Sequence, residues 1–395
     1  MQSLTKSEIK VLHTIFRGGR ATRGGIARRT RLSLVKVSAI LGKLEKEHRI
    51  LKHGKTRSAG GRPSVLYRLH PQQGCALGVS VGLDRCQVVA MDSAKQLFLH
   101  REVPLGLAAE PAAHEREVID RLVEELTAIR QKELKGAGPV IAVGAALPGL
   151  VDTRAGSWLL GLWLSGIARV PIVDLLRERL GLPVFIEDIS RSVAFYEMHC
   201  GHGRSSRSFV VIYLGAGVGA GVVINRRIYR GFHGLAGEIG HIEHADNTYR
   251  CSCSNVGCLE TVISAASIQR VFRDRLAEGV ISSLQQVTGE LDLAAIRAAA
   301  DQGDRFTRTT LHEIGEYLGD ACTVLIKMFN PDRLIVSGVG ALLRDFLAVP
   351  AGEVIRRRVL PEMLADFRFL FADYEPTQEA HGAALAAMNH YLAGA

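Results

Sequence analysis

Apolar positions in the first fifty residues recur every three or four places. Ile9, Leu12 and Phe16 share one helical face. Thr5-Lys-Ser-Glu8 opens that run as a capping box, in which the Thr hydroxyl and the Glu carboxylate reciprocally satisfy free amides. Gly18-Gly19 closes it. The pattern predicts a second short helix over about Thr22 to Thr30, and a third capped by Ser33 on which Leu34, Val37, Leu41 and Leu44 form one apolar stripe. The period then shortens. Arg49-Ile-Leu-Lys52 and Val65-Leu-Tyr-Arg-Leu69 read as strands on either side of a loop from His53 to Pro63. Helices and hairpin together predict a winged helix-turn-helix, whose third helix enters the major groove. Ser33, Lys36, Ser38 and Lys43 are its candidate DNA contacts. In the wing, Gly60-Gly61 lets the backbone come close to a partner, and Arg57 and Arg62 can reach phosphates or a narrow minor groove.

Beyond residue 70 the pattern is that of an α/β body. Ala76–Asp84 and Phe209–Ile224 alternate like strands and carry glycine turns, and each opens roughly half of this body. Helical patterns come after both, at Glu115–Glu133 and Glu260–Leu276. Two similar openings suggest a duplicated fold with a ligand cleft between its lobes. Either glycine turn alone is equally compatible with ordinary hairpin chemistry. The longest uncharged apolar stretch, Phe209 to Asn225, is glycine-rich and shorter than the ~20 residues of a membrane helix, so no membrane partner is expected.

Charge divides the chain at the same place. The net charge of +9 over 395 residues conceals 17 basic and 3 acidic groups in residues 1–70, net +14, against 32 basic and 37 acidic in the rest, net −5. A basic arm on a mildly acidic body points to nucleic acid. A three-helix protein-interaction module with a charged surface is the alternative. Composition is ordinary for a globular chain, 47% hydrophobic and 23% charged, which argues against disorder and fibrous repeats. The opening Met-Gln-Ser-Leu-Thr-Lys has no apolar core or cleavage site of a secretory signal, and seven cysteines is an odd number. Both suggest a reducing, cytoplasmic setting.

Three of those cysteines crowd together. His241, Cys251, Cys253 and Cys258 offer one imidazole and three thiolates, a closed tetrahedral set suited to one structural Zn²⁺ with no open position for water. Buried free thiols or a redox pair are the alternatives, against which stand the loop-forming Ser252, Ser254, Asn255 and Gly257. Glu238 and Glu260 flank the knot, and a metal tying down this loop would preorganise both carboxylates as acceptors for hydroxyl groups. Glu260 reads equally well as a helix N-terminal charge.

Gly234-Leu-Ala-Gly-Glu-Ile-Gly-His241 followed by Cys251-Ser-Cys-Ser-Asn-Val-Gly-Cys-Leu-Glu260 resembles the signature of the ROK family (repressors, open reading frames and sugar kinases). Leu147-Pro-Gly-Leu-Val-Asp152, the glycine run Gly215–Gly221 and Asn330–Gly340 are similar to further family segments. The resemblance implies an actin-like, ribonuclease-H-like body with two lobes, a structural zinc and a sugar site. It divides the chain into a winged helix-turn-helix at 1–70, a first lobe at 71–187 and a second lobe at 188–379, with a helix at about 380–395 returning to the first lobe. Asp188 falls where the family's kinases keep the base for the sugar hydroxyl, and Glu238, His241 and Glu260 fall on sugar-contacting positions. The kinases' opening Asp-x-Gly-Gly-Thr is replaced by Ser80-Val-Gly82-Leu83-Asp84, their Gly-Thr-Gly by Gly215-Ala216-Gly217, and an Asn near Trp163 and another before Asp188 are changed. The implied function is a sugar-responsive transcriptional regulator, a repressor of carbohydrate metabolism, with operator DNA and a sugar as partners, no catalytic residues and a homodimeric or larger assembly. An ATP-dependent sugar kinase with an added DNA-binding domain is the other reading, and a protein partner as the signal is a third.

Overall fold

The computed structural model describes residues 4–56, 63–106, 114–134, 137–161, 164, 167–287, 289 and 291–394. Arg57, Gly60-Gly61, Arg62 and Trp163 lie outside them. The head opens with α1 (Lys6–Gly18), β1 (Ala21–Thr22), α2 (Arg23–Thr30), α3 (Leu34–Lys46), β2 (Ile50–Lys55) and β3 (Val65–Leu69). All three helices start where a side chain caps them. Thr5 and Glu8 form both halves of the capping box, the Thr22 hydroxyl accepts from Gly25 N–H, and the Ser33 hydroxyl accepts from Lys36 N–H. Val11, Leu12, Ile15, Phe16, Ile26, Val37, Leu41 and Leu44 are buried beneath a small sheet of order β1-β3-β2. One sequence expectation needs correcting: Leu34 is 53% exposed and stands outside the apolar stripe. The first turn of α3 projects past the core, so only residues from Val37 onward reach it.

The body continues with β4 (Cys75–Val81), β5 (Arg85–Asp92), β6 (Leu97–Pro104), α4 (His114–Lys132), β7 (Val140–Leu147), β8 (Leu150–Asp152), β9 (Ser157–Leu160), β10 (Ala168–Val170), α5 (Ile172–Leu180), β11 (Val184–Asp188) and α6 (Ile189–His199). It then runs through β12 (Phe209–Leu214), β13 (Val218–Ile224), β14 (Arg227–Ile228), α7 (Glu260–Ile263), α8 (Ala265–Ala277), α9 (Leu293–Asp301), α10 (Arg305–Phe329), β15 (Arg333–Ser337), α11 (Arg344–Arg358), β16 (Arg368–Phe371) and α12 (Gln378–Ala393). Two five-stranded sheets result, β6-β5-β4-β7-β11 and β14-β13-β12-β15-β16. Each is an antiparallel three-strand meander followed by two parallel strands, the same plan twice. Their continuous Val, Ile and Leu runs suit strands covered on both faces.

The chain separates into two compact units, one comprising residues 1–188 and 377–395, the other 189–376. In the first unit α12 lies on β4 and β7 at backbone distance. A methyl on Gly78 or Gly144 would strike the carbonyl oxygens of Ala380 and Ala383, so only glycine admits the helix there. Ala380, Ala383, Ala384 and Ala387 form the small-residue face that fits against it. The far end of α12 receives the head: His13 Nε2 and Asn389 Oδ1 are 2.9 Å apart, and Lys95 Nζ lies 4.7 Å from the Phe16 ring centroid. Burial first, offset in part by the Asn389 hydrogen bond, holds the His13 imidazole below the usual histidine range. In the second unit α6 packs on β12 and β13, and α8, α10 and α11 cover the opposite face around Ile212, Leu214, Leu318 and Leu347.

Candidate functional site

The DNA-facing candidates divide by what holds them. Ser33 serves as the cap of α3, and the Ser38 hydroxyl donates to Leu34 O (2.8 Å) while accepting from the Arg23 guanidinium (3.3 Å). Lys43 Nζ is 2.7 Å from Glu8 Oε1, an acid only 5% exposed, so this ammonium staples α3 to α1. Lys43 first, then the Thr5 amide, holds the Glu8 carboxyl below the usual carboxylate range. The other two acids of the head are also paired, Glu47 with Arg49 at 3.0 Å and Glu45 with Lys52 at 2.8 Å. Lys36 is exposed, as are Arg23, Arg28, Arg29 and Arg31. Sequence reasoning missed Val35, 81% exposed beside Leu34 at the start of α3. Apolar side chains at that position suit contact with a thymine methyl. Leu34 lies on the stripe that the sequence predicts and Val35 off it, so only the spacing of Val35 gave a sign of facing outward.

The metal candidates converge in the second unit. One ligand atom from each of His241, Cys251, Cys253 and Cys258 lies within 4.8 Å of all the others. Cys253 and Cys258 sulfurs are 3.6 Å apart, and Cys251 Sγ is 3.6 Å from His241 Nδ1. A tetrahedral zinc with Zn–S bonds of about 2.3 Å separates its sulfurs by about 3.8 Å, so the set fits that ion closely. Burial, then the adjoining Cys253 and Cys251, pushes the Cys258 thiol up to about 12. A bound cation would displace that proton and hold the thiolate. The loop's shape needs Gly257, whose φ of +86° and contacts with the Asn247 and His244 carbonyls leave no room for a Cβ.

Two supports of this loop carry no metal-ligand signature in the sequence. Asn247 donates to Cys258 O and to Thr261 Oγ1, both at 2.8 Å, and is buried. His244 Nε2 is 3.0 Å from Asp320 Oδ2 on α10, and the Arg358 guanidinium of α11 pairs with the other oxygen of that carboxylate. The loop is therefore moored to the helical layer from two sides.

Glu238 and His241 bound a short 3-10 turn, and Glu260 begins α7. Glu260 is buried, and its Oε2 accepts from Val218 N–H at 2.9 Å, just past the Gly215–Gly217 turn. Burial raises its carboxyl above the usual range, against the Val218 hydrogen bond and the nearby His241. Three of the four acidic or imidazole candidates thus share the second unit, while Asp188 ends β11 in the first. In the first unit, Ser80 is buried at the end of β4, and Asp84 binds the Arg85 guanidinium at 2.7 Å, which keeps its carboxyl low. Among the described residues no helix is long and apolar enough to cross a membrane.

A winged helix-turn-helix, two sheets of one plan and a His/Cys₃ loop define the class: the chain belongs to the ROK family, whose model matches residues 76–389. It is similar to the xylose repressor of Caldicellulosiruptor bescii, 26% identical over 357 residues that cover 89% of this chain and 88% of the relative. Among solved structures it resembles a ROK family transcriptional regulator, a homolog of the E. coli MLC protein, with a TM-score of 0.82, 25% identity, and coverage of 98% of this chain and 97% of that one. A ROK family glucokinase from Streptomyces griseus, in complex with glucose and AMPPNP, aligns with a TM-score of 0.67 and 25% identity over 80% of this chain and 99% of the kinase.

Proposed function

We propose that this chain is a sugar-responsive DNA-binding transcriptional regulator, acting as a repressor of carbohydrate-metabolism genes and binding its operator as a homodimer or larger homo-oligomer. The observation that carries this reading is the basic winged helix-turn-helix, whose three helices are capped and packed together and whose α1 meets the ROK body at α12. Similarity to a regulator over 98% of the chain supports it. In this reading α3 enters the major groove with Leu34, Val35 and Lys36 foremost, and Arg57 and Arg62 add wing contacts to the backbone or minor groove. His241, Cys251, Cys253 and Cys258 hold one structural Zn²⁺, which supplies no reaction chemistry because all four positions are filled by protein. Glu238, His241 and Glu260 hydrogen-bond sugar hydroxyls, with Asp188 as the fourth contact and a remnant of a kinase base. The cytoplasm is the compartment in which operator DNA and free thiols are both found.

The test is selection of operator sequences by the full chain from random duplexes, followed by titration with and without a panel of hexoses, pentoses and amino sugars. A sequence-specific complex that one sugar weakens or strengthens is the expected result. Lys36→Ala should weaken binding and lower the slope of log K against log salt by about 1. Salt-independent binding, or no preference among sequences, contradicts the reading. The second reading, an ATP-dependent sugar kinase, is favoured by the likeness to a glucokinase whose structure holds glucose and AMPPNP. Against it stand Ser80 and Asp84 where a metal-organising carboxylate and a phosphate are needed. Coupled ADP release with the same sugars separates the two, since a kinase turns over at roughly 1–100 s⁻¹.

A further inference from the structure

Strands β12 and β15 run parallel and in register, with Tyr213 opposite Ser337. Both end in glycine turns, Gly215-Ala-Gly217 after β12 and Gly338-Val-Gly340 after β15. Ligands of open α/β sheets bind outside the carboxyl ends of parallel strands, and glycines there let backbone approach a phosphate closely. Here the chain itself takes the space those glycines leave. A methyl on Gly215 would land on the Tyr213 ring, and one on Gly338 would meet Cε2 of the same ring at 2.9 Å. The phenol is therefore walled by both turns. Two backbone donors, one in the first turn and one just after it, are bound within the protein. Gly215 N–H donates to Gly217 O at 3.0 Å, and Val218 N–H donates to the Glu260 carboxylate. A phosphate arriving there would meet an aromatic ring, with the buried Glu260 carboxylate close behind the turn on the Val218 amide.

We propose that Tyr213 is a built-in plug: its ring fills the phosphate end of the nucleotide position at the carboxyl ends of β12 and β15 and excludes nucleoside di- and triphosphates from this body. This deepens, and rests on, the reading of the chain as a sugar sensor that does not phosphorylate its sugar. The exclusion comes from one side chain in addition to the altered residues at Ser80 and Asp84, so removing it has a measurable consequence of its own.

The test uses the full chain and ADP, with and without Mg²⁺, titrated by calorimetry and by displacement of a fluorescent ADP analogue. Wild type should show no saturable binding at millimolar ADP. Tyr213→Ala and Tyr213→Thr should bind ADP at least about tenfold more tightly, the equivalent of 1.4 kcal/mol. Tyr213→Phe, which keeps the ring, should behave as wild type. Tyr213→Val, which removes the ring and keeps a side chain suited to a strand, takes the place of any variant that fails to fold and should gain ADP affinity as the others do. Cooperative melting and retained operator binding certify the variants. Tight ADP binding by wild type, or folded Ala, Thr or Val variants that gain none, overturns the proposal. Operator and sugar titrations run alongside distinguish the two failures: a wild type without any operator response sinks the regulator reading, whereas an intact response with an unchanged ADP result sinks only the plug.

Discussion

Acid should weaken the first unit through one histidine. His381 lies on the buried face of α12, 7% exposed, and burial first, then the charge of Lys95, lowers its imidazole to about 4. A histidine in an unfolded chain titrates near 6.5, so as the pH falls below that value the unfolded state takes up a proton that the folded state refuses until about pH 4. Stability contributed by the neutral imidazole is complete above about pH 7 and declines steadily as the pH drops toward 4. Integrating proton uptake between pH 7 and pH 5 gives a loss of about 2 kcal/mol from this residue alone. His13 in the interface of α1 and α12 is lowered as well and adds loss of the same sign. Replacing His381 with Gln keeps a polar side chain of similar size and removes the titration. The chain's two tryptophans stand at positions 158 and 163 of the sequence, and Trp158 is buried in the first unit with its indole N–H on Pro148 O. Urea unfolding followed by tryptophan fluorescence therefore reads the unit that contains His381. Wild type should lose about 2 kcal/mol more than His381→Gln between pH 7 and pH 5. Equal losses in the two proteins would refute the reasoning, because other carboxylates and histidines titrate identically in both.

Three further outcomes are expected from packing and charge. Glu8→Ala removes the return half of the capping box and the partner of Lys43, and should destabilise α1 by about 1–2 kcal/mol, read as faster amide exchange across residues 6–18. Since the Glu8 carboxyl is held low, that contribution is present above about pH 4.5, the value of a free Glu, and is lost as the pH falls through the lower folded value. Gly144→Ala sets a methyl against the Ala383 carbonyl and the Ala387 methyl, and should cost about 1–3 kcal/mol in the same fluorescence assay and loosen operator binding as α12 lifts. Cys258→Ser should lower bound zinc, measured by atomic emission, from about one equivalent per chain to a small fraction, and should reduce the sugar response together with thermal stability. A wild-type chain purified free of metal and equally stable would overturn that last expectation.

Much of this molecule is local enough to read directly. Thr5 and Glu8, Thr22 and Ser33 stand within three residues of the amides they cap, so helix starts in the head are set by neighbouring residues alone. The four metal candidates fall within eighteen positions of one another, and loop-forming residues between them leave little choice but to bring them together. The charge division at residue 70 needs no coordinates either. Tertiary structure decided what depends on partners far along the chain. Lys43 lies on the polar side of its helix by periodicity, yet it is drawn to an acid 35 residues earlier because α1 and α3 cross there. Leu34 reads as core on its helical stripe and faces outward, because the first turn of α3 runs past the layer that buries Val37. Gly78 and Gly144 are plain strand glycines until a helix from the far end of the chain proves to need their missing side chains. Tyr213 alternates like any strand residue, and only the parallel pairing of β12 with β15 brings a second glycine turn against its ring. Periodicity states which face a residue shares with its neighbours, and short spacing states which groups can meet. The element that arrives on that face is chosen by the closure of the whole chain, where burial of each apolar surface is balanced against all the others.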